Sequence, residues 1–135
     1  MDRDTLLREL ASYFASHSEV VAAYLFGSVA RGDHGTASDV DVGVVLAAGA
    51  PRDLAGIEAI GDLHADLEDL LRREVDCVVL NDASPDLLHR VLRDGLLVHE
   101  SDHRRRILFE VKARNDYFDM QPAVSLYRRT VLGSL

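Results

Sequence analysis

Apolar residues recur along this chain first at a helical period and then in short continuous runs, and the alternation continues nearly to the end. Leu6, Leu7, Leu10, Ala11, Phe14 and Ala15 fall three and four residues apart, which predicts an amphipathic helix over about residues 4–17. The run VVAAYLF, residues 20–26, lacks that interval and predicts a buried strand, and a second strand is expected from Asp39 to about residue 46. Between Leu54 and Leu71 the positions Ile57, Ile60, Leu63, Leu67 and Leu70 or Leu71 mark the core face of a long helix, weakened locally by Gly56 and Gly61. EVDCVVL, residues 74–80, predicts a third strand. Ser84-Pro85-Asp86 supplies an N-cap and a proline in the first turn, so a helix is expected over 86–93, stopped by Gly95. A short edge strand at 96–99 follows, then two helices, over about 101–118 and 122–132, divided near Gln121-Pro122. Strands alternating with helices predict a layered α/β fold. At 135 residues this is expected to be one domain, with its core over about 20–100 and C-terminal helices over about 101–133.

Charge narrows the function. A formal net charge of −8 lacks the basic footprint that broad nucleic-acid binding requires. It does not disfavour a nucleotide, whose own charge is met by a divalent cation and a few local arginines. The charged, amphipathic N-terminus is unlike a signal peptide and no apolar run approaches a membrane span, so a cytoplasmic protein with no membrane partner is expected. Cys77 is the single cysteine and lies in a predicted core strand, where its thiol is expected to be inert. The six histidines are scattered; only His99 and His103 have a suggestive spacing, and they straddle a predicted strand–helix junction, so no structural metal site is expected.

The most informative residues are Gly27-Ser28 and, ten residues on, Asp39-Val40-Asp41. The first predicted strand breaks at Gly27, and Ser28 is a suitable N-cap for a short helix beginning Val29-Ala30-Arg31. A strand ending in glycine and a helix start presents free backbone N–H groups and a hydroxyl, a cradle for phosphate. Residues two apart on a strand share a face, so Asp39 and Asp41 project the same way, roughly 6–7 Å apart. That spacing suits two carboxylates gripping one or two Mg²⁺ ions beside a triphosphate. Asp76 opens the third strand, whose other residues are apolar, and a carboxylate there is costly unless it is paired, metal-bound or at the rim.

From Phe26 to Val45 and again from Val75 to Leu80, the chain resembles the minimal nucleotidyltransferases of the DNA polymerase beta superfamily. The tail from Asp116 to Tyr127 is similar to that of their MntA-like antitoxin members. The resemblance implies a small mixed β-sheet flanked by α-helices and a nucleotidyltransferase that uses ATP with two Mg²⁺ ions. It implies that Asp39, Asp41 and Asp76 are metal ligands and catalytic groups, with Asp76 receiving the proton of the attacking hydroxyl. Gly27 and Ser28 would meet the β- and γ-phosphates, and Arg31 would reach a phosphate. It implies further that the acceptor is a tyrosine of a HEPN-domain ribonuclease toxin, to which AMP is transferred, and that the chain is the toxin's antitoxin in a hetero-oligomer.

Blander readings stand beside these. Ser38 has a turn or capping role open to it, Arg31 a solvated one, and Asp76 that of a salt-bridged strand-edge acid. Arg104-Arg105-Arg106 with Lys112 and Arg114 is the only basic concentration, either a solvated helix face or a dock for an acidic or nucleic-acid partner, and the tail from Arg104 to Leu132 is expected to help form the surface that docks a protein acceptor. Adenylylation of a small molecule such as an aminoglycoside, or silencing of a partner by occlusion alone, are the competing functions. No groove for a small substrate is evident in the sequence beyond the phosphate turn.

Overall fold

The computed structural model describes residues 2–32 and 39–127, with 121–127 as backbone alone. Among the described residues nine elements follow in chain order: α1 (Arg3–Phe14), β1 (Val20–Phe26), α2 (Gly27–Arg31), β2 (Val40–Leu46), α3 (Leu54–Leu71), β3 (Val75–Val79), α4 (Pro85–Asp94), β4 (Leu96–Glu100) and α5 (His103–Tyr127). The strands form one mixed sheet in the order β3-β2-β1-β4. β1 runs antiparallel to both β2 and β4, whereas β2 and β3, joined through α3, are parallel. The mixed α/β architecture is the one that the resemblance implies.

Helices cover both faces of the sheet. On one face Leu6, Leu10 and Phe14 of α1 and Leu63, Leu67 and Leu71 of α3 bury against Leu25, Val40, Val42 and Val44. On the other, Leu88 and Val91 of α4 and Ala113 of α5 pack on Val21, Tyr24, Val45 and Leu80. The alternation along β2 therefore sends Val40, Val42 and Val44 to the first face and Asp41, Gly43 and Val45 to the second. Gly43 is required by close approach, since a Cβ there would stand 2.8 Å from Leu80 Cδ1.

Several expectations are corrected. The C-terminal region is one helix, α5, through Gln121-Pro122. A proline withholds one helical hydrogen bond without obliging the helix to end. The rest of the expected second helix, 128–132, lies outside the described residues, as does Ser38. Ile57, expected in the core face of α3, is 60% exposed, because that face reaches the sheet only from Ile60 onward. The basic run is also less free than its sequence suggests. Arg106 turns inward, bonding Glu100 Oε2 at 2.7 Å and pairing with Glu110, which is only 8% exposed. Arg105 donates to the Ala47 carbonyl, Lys112 pairs with Asp116 and Arg114 with Glu110, while Arg104 is exposed.

Candidate active site

Strand register brings the singled-out residues together at one end of the sheet. Phe26, the last residue of β1, is paired with Asp41 on β2, and Asp41 is paired in turn with Asp76 on β3. Neighbouring strands lie about 4.8 Å apart, so the two carboxylates stand side by side on the same face. Asp39 lies one residue before β2 and is exposed, as is Asp76, whereas Asp41 is half-buried. The apolar residues between them go to the opposite, covered face, which explains how three acids fit at the mouth of otherwise apolar strands.

Backbone geometry at the turn is specific. Gly27 has φ +74°, in the left-handed region that favours glycine, and a Cβ there would stand 2.1 Å from Asp41 Oδ2. The glycine thus leaves space for the aspartate as well as freeing the chain to turn. The expected N-cap is corrected: α2 begins at Gly27 with Phe26 in the cap position and no side-chain capping bond. Ser28 is consequently inside the first turn, and its hydroxyl is not committed to capping. α2 ends at Arg31, where Gly32 with φ +80° closes it. Arg3 of α1 anchors that end by donating from Nη1 to the Ala30 carbonyl at 3.0 Å.

Asp76 is held from α3. The Val75 N–H donates to Glu68 Oε2 at 3.1 Å, and the Val75 carbonyl accepts from His64 Nε2 at 2.6 Å, so Nε2 carries the ring proton. Both outward-facing backbone groups of Val75 are therefore satisfied by α3 side chains, which fix the strand one residue before the aspartate. Sequence inspection gave no sign of these two positioning residues, because their partners are backbone atoms.

Electrostatics follow from this crowding. Partial burial pushes the Asp41 carboxyl above its ordinary range, and the Asp76 and Asp39 carboxylates push it further, while the Arg31 guanidinium opposes them. Arg31 also helps to hold Asp94, at the end of α4, below the usual carboxylate range, behind the larger effect of its bond to Arg93. The arginine's charge therefore acts on both Asp41 and the end of α4. Burial, with Asp76 adjacent, pushes the Cys77 thiol up to about 11, in keeping with an inert thiol.

Among the described residues no three His, Cys, Asp or Glu side chains already form a metal cluster. The chemistry of the three aspartates nevertheless fits a hard divalent cation: an all-oxygen donor set with mutually repelling charges and a half-buried member that a cation would relieve.

The sequence profile described as Polymerase beta, Nucleotidyltransferase matches residues 8–104. Among proteins of curated function, none matches the chain in sequence. A solved minimal nucleotidyltransferase is 35% identical, covering 71% of this chain and 95% of its own, with a TM-score of 0.56. A chain from a toxin–antitoxin complex crystallised with AMP-PNP is 24% identical, over 95% of this chain and 96% of its own, with a TM-score of 0.68. A chain from a tri-AMPylated HEPN toxin of Shewanella oneidensis in complex with its MNT antitoxin is 22% identical, over 98% and 97% of the two chains, with a TM-score of 0.64. With a family profile that runs from α1 to the start of α5 and takes in the turn and all three aspartates, the chain belongs to the polymerase beta nucleotidyltransferase family.

Proposed function

We propose that this chain transfers AMP from ATP to a tyrosine hydroxyl of a cognate HEPN-domain toxin and so acts as that toxin's antitoxin. The whole of residues 1–135 would work as one minimal nucleotidyltransferase domain in the cytoplasm. The observation that carries the reading is the alignment of Asp41 with Asp76, and of both with the end of β1, where Gly27 and Ser28 stand. The fold shared with chains of toxin–antitoxin complexes supports the choice of acceptor.

In this reading the turn binds the β- and γ-phosphates through backbone N–H groups and the Ser28 hydroxyl, and Arg31 adds positive charge. Asp39, Asp41 and Asp76 would hold Mg²⁺, which when bound neutralises triphosphate charge and stabilises the pyrophosphate leaving group. The acceptor oxygen forms a bond to the α-phosphorus as the bond to pyrophosphate breaks, and the hydroxyl proton passes to Asp76. Asp76 suits this role by its exposure beside Asp41, where an acceptor arrives from solvent. No helix of the described residues is long and apolar enough to cross a membrane.

The test is incubation with ATP and Mg²⁺ plus the cognate HEPN-domain toxin, followed by peptide mass spectrometry of that protein. Adenylyl groups on tyrosine, absent with the Asp39→Asn/Asp41→Asn double variant, are expected. Unmodified tyrosines with a fully folded chain, or unchanged labelling by the double variant, would overturn the proposal.

A further inference from the structure

A cavity of about 590 Å³ lies at the other end of the sheet from the aspartates, contrary to the expectation that no groove exists beyond the phosphate turn. It opens beneath the 47–53 loop, between the end of α1 and the first half of α3. Its floor includes Leu46, the last residue of β2, so roughly 17 Å of strand separates it from Asp41. The size falls within the range of about 300–1,000 Å³ typical of small-molecule sites.

The composition of the walls is uneven. The floor is hydrocarbon, formed by Val20, Leu46, Ile60 and Leu63. The rim carries the carboxylates of Glu19, Asp53, Asp62 and Asp66 against one arginine, Arg52, and His17. Two of the acids are committed: Asp53 caps α3 by accepting from the Gly56 N–H, and Glu19 bonds His17 Nδ1 at 2.7 Å. Asp66 accepts the Tyr13 hydroxyl at 2.8 Å and keeps further acceptor capacity. Asp62 is exposed and is engaged by no described residue. Asp62 and Asp66 are four residues apart on α3, hence neighbours on one helix face, where like charges are mutually unfavourable. Two adjacent acids over an apolar floor are complementary to a molecule with a cationic head and a hydrocarbon body.

We infer that this cavity is a binding site for a small organic amine, whose hydrocarbon lies on the Leu46, Ile60 and Leu63 floor and whose ammonium group meets Asp62 and Asp66. The inference is independent of the transfer reaction proposed above and uses none of its residues. An anionic ligand is disfavoured because four rim carboxylates face a single arginine.

Hexylamine is a suitable probe, titrated into the full chain and followed by backbone amide chemical shifts, with hexanol and hexanoate as charge controls. Saturable shifts centred on Leu46, Ile60 and Asp62 are expected with the amine, and binding at least about 10-fold weaker with the alcohol. The Asp62→Asn/Asp66→Asn variant, in which residue 66 keeps an acceptor for Tyr13, should weaken amine binding by a similar factor while its melting temperature holds. If that variant melts early, Ala59→Phe, at an exposed helical position lining the cavity, fills the space without altering charge and should abolish the shifts. Equal affinity for hexanol, undiminished binding by a folded variant, or shifts centred on Asp41 and Asp76 would overturn the inference.

Discussion

Asp41→Asn should stabilise the metal-free protein while abolishing nucleotide transfer. The aspartate stands directly across from Asp76 in the parallel register, with Asp39 two residues away on its own chain. Two unit charges about 5 Å apart repel by roughly 1 kcal/mol in a water-like dielectric and by about 3 kcal/mol at an effective dielectric of 20. Asp76 is exposed, so the lower figure applies, and the opposing Arg31 keeps the net near about 1 kcal/mol. For a chain of this size that is an increase in melting temperature of roughly 3–5 °C. The sign with pH follows from the raised Asp41 pKa. A carboxyl whose folded pKa lies above its unfolded value favours the folded state when both forms are protonated, and that advantage is lost as pH rises through the folded value. The gap between variant and wild type should therefore be full at pH 7 and close as pH falls through the carboxylate range. Added Mg²⁺ should narrow it from the other side by stabilising wild type alone. Differential scanning calorimetry in chelator-treated buffer at several pH values measures all three effects. A variant that melts at or below wild type at pH 7, or a gap that persists unchanged to pH 3, would refute the crowding of charge at this site.

Other residues offer independent checks. Gly27→Ala places a methyl group in left-handed backbone against the Asp41 carboxylate, so a loss of at least about 1 kcal/mol is expected. Part of that loss should vanish in the Gly27→Ala/Asp41→Ala double variant, and strict additivity in denaturant melts would rule out the contact. Arg106→Met strips the buried Glu110 of its closest cation and should lower stability by about 3 kcal/mol, read as a lower urea midpoint. Unaltered stability there would mean that the ion pair contributes nothing. Glu68→Ala should speed hydrogen exchange at the Val75 amide while amides of β1 keep their protection, and it should slow transfer through Asp76. Equal exchange at Val75 would remove α3 as the device that holds that aspartate. With its thiol pushed up to about 11, Cys77 should react slowly with a disulfide reagent at pH 8 until denaturant is added; fast reaction of the folded protein would contradict its burial.

The sequence by itself determined the elements whose signals are local. The apolar run 20–26 is β1 at its expected bounds, and Ser84 with Pro85 starts α4, the serine accepting from the Leu87 N–H at 3.2 Å. Such signals are legible because a strand's continuity, a helix's period and a cap's chemistry are set within a few residues. The candidate site was legible for a related reason: Gly27-Ser28 and Asp39-Val40-Asp41 flank one short connection, so any antiparallel pairing of β1 and β2 brings them close. Where local signals competed, the sequence misled. Ser28 is a good N-cap, yet the left-handed Gly27 starts α2 two residues before the expected Val29. Pro122 resembles a boundary, yet α5 continues past it.

Only the tertiary structure decided matters of register and facing. That Asp76 stands opposite Asp41 depends on the parallel pairing of β3 with β2, thirty-five residues apart in the chain, and on the grip of Glu68 and His64 on Val75. Arg31 acts on both Asp41 and Asp94, and Arg105 reaches the Ala47 carbonyl, only because α4 and α5 pack on the sheet. The cavity under the 47–53 loop exists only where the end of α1, the ends of β1 and β2 and the first half of α3 come together, since each supplies part of its lining. A sequence pattern specifies which face of an element is apolar; which partner that face meets, and what space is left between them, is a property of the packed whole.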